Sequence, residues 1–192
     1  GTTIIYVTHD QVEALTMSTR IALFKEGIIA QVGTPLELYT NPIDLTAADF
    51  IGNPRINFLP AKAFFDGDEL AVKSDLGSYR FSRDAMKPDE ECPLKTEFDC
   101  VLGIRPETIE IDTEDRGDKH TIAATVYASQ PAGSETLVSL TYGAAEFLAI
   151  QIGLSEYDIN QKVFAVLHPS RMNVYNKSTG RLIKYASSKR VK

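Results

Sequence analysis

Apolar and polar positions follow two different rhythms on either side of residue 53. The chain opens with a continuous apolar run, Ile4-Ile5-Tyr6-Val7, of β-branched and aromatic residues. Such a run predicts a strand buried on both faces of a parallel sheet. It ends in Thr8-His9-Asp10, a polar triplet at the strand terminus where open α/β sheets bind ligands. Gln11 to about Ser18 has helical spacing. Arg20 to Lys25 and Ile28 to Val32 are short strands around Glu26-Gly27, which predicts a hairpin. Thr34-Pro35 reads as an N-cap and first-turn proline of a helix through Tyr39, and Asn41-Pro42 stops it. Leu45 to Phe50 reads as another short helix, with Gly52 as its stop. A buried parallel strand needs neighbours, so the expectation is a fragment whose upstream part carried the rest of that sheet.

Beyond Asn53-Pro54 the rhythm changes to short alternating segments divided by turn residues. They are 69–73, 78–81, 100–104, 108–111, 121–127, 135–141, 146–152, 162–167 and 172–175. Many short strands at regular spacing predict a small barrel or sandwich. Asp84 to Lys95 reads as a loop with a helical turn, and Asp112 to Lys119 as a charged loop.

Composition narrows the function classes. The 192 residues suffice for one domain, or for a domain and a piece of another. No apolar run approaches bilayer length, so any membrane link is expected to be peripheral. A net charge of −6 argues against a nucleic-acid binder held by phosphate neutralisation. Cys92 and Cys100 have neither metal-site spacing nor the number for a disulfide framework, which fits a reducing cytosol.

His9 leads the candidate chemistry. A histidine at a strand end can donate to phosphate oxygens and hold attacking water in register, or it can simply bond nearby backbone. Asp10 is placed to cap the following helix, and Glu13 to lie on a solvated face. Arg105-Pro106-Glu107 reads either as an architectural or signalling element, or as a strand end where Pro106 terminates pairing and Arg105 bonds Glu107 or nearby backbone. The fold-serving reading is favoured. Gln130 to Glu135 could offer Ser134 and backbone amides to an oxyanion, though a plain β-turn is the commoner outcome. His120 and His168 read as surface histidines. Lys184, Lys189, Arg190 and Lys192 read as a frayed, solvated basic end.

Four segments carry a resemblance over essentially the whole chain. They are Tyr6-Val7-Thr8-His9-Asp10-Gln11-Val12-Glu13-Ala14, then Gly33-Thr34-Pro35-Leu36-Glu37-Leu38-Tyr39, then Phe50 to Pro54 with Asn57 to Pro60, and Gly103-Ile104-Arg105-Pro106-Glu107. In this order they resemble the ATPase subunits of bacterial sugar importers of the ATP-binding-cassette (ABC) type, the group that includes the maltose-importer ATPase. The resemblance implies a mixed fold. Residues 1–52 would be the C-terminal α/β segment of an ABC nucleotide-binding domain, and residues 53–192 an all-β, OB-type, transport-associated regulatory domain.

It further implies that His9 contacts the γ-phosphate of ATP, with Mg2+, in the full-length protein only. The implied partners are a second copy, membrane-spanning permease subunits and, indirectly, a solute-binding protein, at the cytoplasmic face of the bacterial inner membrane. No nucleic acid is implied. The chain lacks a G-x-x-x-x-G-K-[ST] phosphate loop, and the family's catalytic glutamate lies upstream of its switch histidine. The fragment alone is therefore expected neither to bind nor to hydrolyse ATP usefully. Two rivals remain at this point. One is a stand-alone OB-type module for a small ligand or single-stranded nucleic acid, against which stands the lack of an aromatic-basic stripe. The other is a small hydrolase using His9 and Asp10, for which no nucleophile motif exists.

Overall fold

The computed structural model describes residues 2–87 and 96–186. Its regular structure is predominantly β. Near the start come helix α1 (Gln11–Met17), strands β1 (Ile21–Lys25) and β2 (Ile28–Gly33), and helices α2 (Pro35–Thr40) and α3 (Leu45–Phe50). The hairpin forms as expected. Glu26 and Gly27 both take positive φ, 52° and 83°, the left-handed turn that matches strand twist. Thr34 starts α2 through a capping box: Glu37 N donates to its hydroxyl, and Glu37 Oε2 accepts from Thr34 N.

The opening parallel strand does not form. Residues 2–7 lack strand structure, and Ile5 and Val7 are 89% and 90% exposed. An isolated extended segment leaves its backbone unpaired, and none of the described strands lies beside it. The expected α/β piece is therefore corrected: the start of the chain is an antiparallel hairpin with three short helices.

The remaining strands build two antiparallel sheets. The first contains β3 (Asn57–Asp66), β4 (Glu69–Ser74), β5 (Gly77–Ser82), β6 (Phe98–Ile104), β12 (Asn173–Asn176) and β13 (Leu182–Lys184), in the order β13-β12-β6-β3-β4-β5. The second contains β7 (Ile109–Asp112), β8 (Thr121–Pro131), β9 (Glu135–Tyr142), β10 (Ala145–Ile152) and β11 (Lys162–Leu167), in the order β10-β9-β8-β11-β7. Alternation decides which face is buried. Val138 and Leu140 of β9, Val163 and Leu167 of β11, and Leu70 and Leu102 of the first sheet meet in one core. This agrees with the expected all-β unit, a small barrel or sandwich.

Two strands and one residue depart from expectation. β3 has ten residues although it contains Pro60, which by itself argues against an interior strand. Pro60 lies where β3 pairs only with β6, because pairing with β4 begins at Ala61. The strand therefore has one neighbour at Pro60 rather than two. The expectation that Lys184 belongs to a frayed, solvated end is not met: it lies in β13, where Leu182, Ile183 and Lys184 are all buried. Lys184 is thus removed from the basic end, while Lys189, Arg190 and Lys192 lie outside the described residues, as does Cys92.

The outer face of the first sheet carries the helices. Ala48 of α3 packs with Ile56, Tyr175 and Leu182. Backbone bonds from Leu45 N to Gly180 O (2.9 Å) and from Leu182 N to Ile43 O (3.0 Å) tie residues 43–45 to the β13 edge. This fixes the turn at residues 50–52 above the end of β6.

Candidate functional site

The bend carrying His9 is tied to α1 by short side chains. Asp10 is the N-cap, accepting from Val12 N at 2.7 Å and Glu13 N at 3.1 Å, as expected. Thr8 Oγ1 donates to Glu13 Oε2 at 2.6 Å and accepts from Asp10 N at 3.0 Å. Tyr6 OH donates to the same Glu13 oxygen at 3.2 Å, which raises the phenol above its ordinary pKa. Glu13 is therefore a half-buried anchor, not a residue of a solvated face. His9 itself is exposed.

Gln11, which sequence reasoning passed over, reaches across to the end of α3. Its Nε2 donates to Phe50 O and its Oε1 accepts from Gly52 N at 2.7 Å. The amide thus closes a two-point clasp around Ile51. Nothing in the local sequence marks this contact, because its partners lie about forty residues away.

Ile51 is held from the other side by Arg105. This arginine is 4% exposed; its Nη1 donates to Ile51 O and its Nη2 to Tyr39 O at 2.9 Å. Its guanidinium lies 4.3 Å from the Tyr39 ring centroid, a cation–π distance. Tyr39 OH donates to Glu107 Oε1 at 2.7 Å. Burial lowers the Arg105 pKa from its ordinary value and raises that of Tyr39, the latter helped by the Glu107 bond. The Arg105 side chain donates to carbonyls and covers a ring, so the motif serves the architecture. Its partners are distant backbone, however, and Glu107 bonds Tyr39 rather than Arg105. Gly52 has φ +116°, and a Cβ there would run into the Arg105 guanidinium.

The other candidates fall apart spatially. Ala132 N donates to Glu135 O at 2.8 Å, so the Ser134 segment is a turn between β8 and β9. The His120 ring packs 5.7 Å from that of Tyr79, and His168 Nε2 lies 3.0 Å from Glu110 Oε1. Among the described residues no three His, Cys, Asp or Glu side chains gather as metal ligands. Among the same residues no helix is long and apolar enough to cross a membrane.

Comparison with known proteins places this geometry. The profile of the TOBE domain matches residues 102–174, which include Arg105, Pro106 and Glu107. The ABC transporter ATP-binding protein YcjV of Escherichia coli K12 is 33% identical over 163 residues, 85% of this chain and 43% of its own length. The sulfoquinovosyl glycerol transport ATP-binding protein SmoE of Agrobacterium fabrum is 38% identical over 183 residues, 95% of this chain and 49% of its own length. The chain belongs to the TOBE-bearing ABC transporter ATP-binding proteins. Another relative of this ABC chain is the trehalose/maltose import ATP-binding protein MalK of Thermococcus litoralis, 34% identical over 190 residues with the same two coverages, 95% and 49%. The chain spans about half the length of these relatives. A solved structure of the cytoplasmic molybdate-binding protein ModG aligns with 62% of this chain and 94% of its own, with a TM-score of 0.47 and 13% identity. That distant likeness carries no weight in the assignment.

Proposed function

We propose that this chain is the C-terminal part of the ATP-binding subunit of a bacterial ABC importer for sugars or related solutes. Residues 1–52 would complete the ATPase domain, and residues 53–192 would form the OB-type regulatory domain. The observation that carries this reading is the extent of the match to SmoE. At 183 residues it runs well beyond the TOBE segment into the region of His9 and Gln11. A stand-alone β module leaves that similarity without a purpose. The exposure of Ile4, Ile5, Tyr6 and Val7 supports the same reading, as a surface that other parts of an ATPase domain would cover.

In this reading His9 contacts the γ-phosphate of ATP. Its exposed position on a bend fixed to a capped helix fits a one-point contact from a ring N–H to a phosphate oxygen. ATP supplies the phosphoanhydride whose hydrolysis drives transport, and Mg2+ would be held by groups outside this chain. Asp10 spends its carboxylate on the helix cap and is a poor candidate for a base. The subunit would act as a homodimer against permease subunits at the cytoplasmic face of the inner membrane, fed by a solute-binding protein. The β domain would serve dimerisation and regulation.

The test is His9→Ala in the natural gene product, assayed for ATP-driven solute uptake and ATP hydrolysis. The expected outcome is loss of both by roughly a hundredfold or more, the scale of removing a transition-state contact, with circular dichroism unchanged. Undiminished hydrolysis would reject the phosphate-sensing role.

A further inference from the structure

The turn at residues 50–52 is gripped from two sides. Gln11, the first residue of α1, holds Phe50 O and Gly52 N. Arg105, at the end of β6, holds Ile51 O between them. Two consecutive peptide groups are thus gripped, and the second, Ile51 C=O with Gly52 N–H, is shared by the helix that follows His9 and by the β unit that contains the TOBE match. Neither grip has slack. Gln11 uses both ends of its amide, and Arg105 is pinned further by Tyr39 O and the Tyr39 ring. Gly52 has no side chain to cushion the contact, and its positive φ fixes the path of the turn.

On the near side, the Gln11 backbone is two residues from His9, and Thr8, Asp10 and Glu13 lock the intervening bend to α1. On the far side, Arg105 O accepts from Thr108 N at 2.9 Å and Thr108 Oγ1 at 2.7 Å, in the 3-10 turn Pro106–Thr108. A displacement of the β unit relative to the first helices must stretch one of these grips or carry α1 along.

We propose that Gln11 is a positioning residue that couples the placement of the TOBE-containing β unit to the His9 bend, through the shared turn Phe50-Ile51-Gly52 and Arg105. The functional consequence rests on the reading of His9 as a phosphate contact; the mechanical coupling does not. Coupling between sites is reciprocal. A change at Gln11 must be felt at Arg105, and a change at Arg105 must be felt at α1.

Amide hydrogen exchange on the full 192-residue chain tests this in both directions. Gln11→Ala removes a half-buried side chain at a helix start and leaves the β core untouched. Its expected effect is faster exchange of the Thr108 amide, which Gln11 does not touch, by roughly fivefold, the low end of ordinary coupling between sites. Arg105→Lys is expected to speed exchange of the Val12 and Glu13 amides, which Asp10 protects, by a similar factor. In the Gln11→Ala background it should add little further. Gln11→Ala alone decides the matter if Arg105→Lys does not fold. Changes confined to residues 50–52, or effects of the two substitutions that simply add, would overturn the coupling. The His9→Ala assay is separate. Failure there with coupled exchange intact would remove the nucleotide role but leave the coupling, and the reverse would remove only the coupling.

Discussion

Lys184 is 2% exposed, and its ammonium donates to Met172 O at 2.6 Å and Pro169 O at 2.9 Å while lying 4.6 Å from the Phe81 ring centroid. The carbonyls and the ring favour the charged form, but desolvation outweighs them and pushes the pKa down to about 7. The unfolded chain keeps this proton up to the ordinary lysine value. Between the two, the unfolded state binds more protons than the folded one, so stability rises with pH from about 7 toward 10. Below that window the cost of burying the charge is fully present. Urea unfolding at several pH values should show this rise, and Lys184→Met should flatten it; an unchanged slope in that variant would assign the rise to other groups. A run of Lys and Arg near a chain end suggests a solvated tail, and only the pairing of β13 with β12 shows that one member is enclosed. Arg105 is a similar case. Its motif was legible in sequence, but its partners Tyr39 and Ile51 were not, because they are 66 and 54 residues away.

At the level of elements, local signals were legible where the chemistry is local. The Asp10 cap, the Thr34 N-cap and the Glu26-Gly27 hairpin all depend on neighbours within a few residues. The strand at residues 4–7 depends on partners elsewhere, and composition cannot supply them. β3 is obscured in sequence by Pro60, a residue that argues against an interior strand and is accommodated where β3 has β6 alone as its neighbour. The same strand holds the two sheets together. Asn57 Oδ1 accepts from Leu148 N at 2.7 Å, and its Nδ2 donates to Leu148 O at 2.8 Å and Ile104 O at 3.1 Å. Its side chain thus acts as a peptide group pairing with the edge strand β10. Asn57→Leu strands these half-buried groups and should cost about 2 kcal/mol in urea unfolding, within the range for unsatisfied polar groups. A loss below about 0.5 kcal/mol would show that water replaces the amide without penalty.

On the scale of the whole molecule, the two sheets form one core, and the helices of residues 35–50 lie on the outer face of one of them. Contact between the two regions combines the apolar packing of Ala48 and the backbone bonds at residues 43–45 with carbonyls gripped by Arg105 and Asn173, the latter donating to Thr40 O at 3.1 Å. The central claim is that this chain is the tail of an importer ATPase. The measurement that tests it most directly is the intact mass of the natural gene product in its source cell, with the residues before Gly1 read. The account predicts a mass well above 21.2 kDa and an upstream G-x-x-x-x-G-K-[ST] phosphate loop. A natural product of 21.2 kDa that starts at Gly1 would contradict it and leave a binding module in its place.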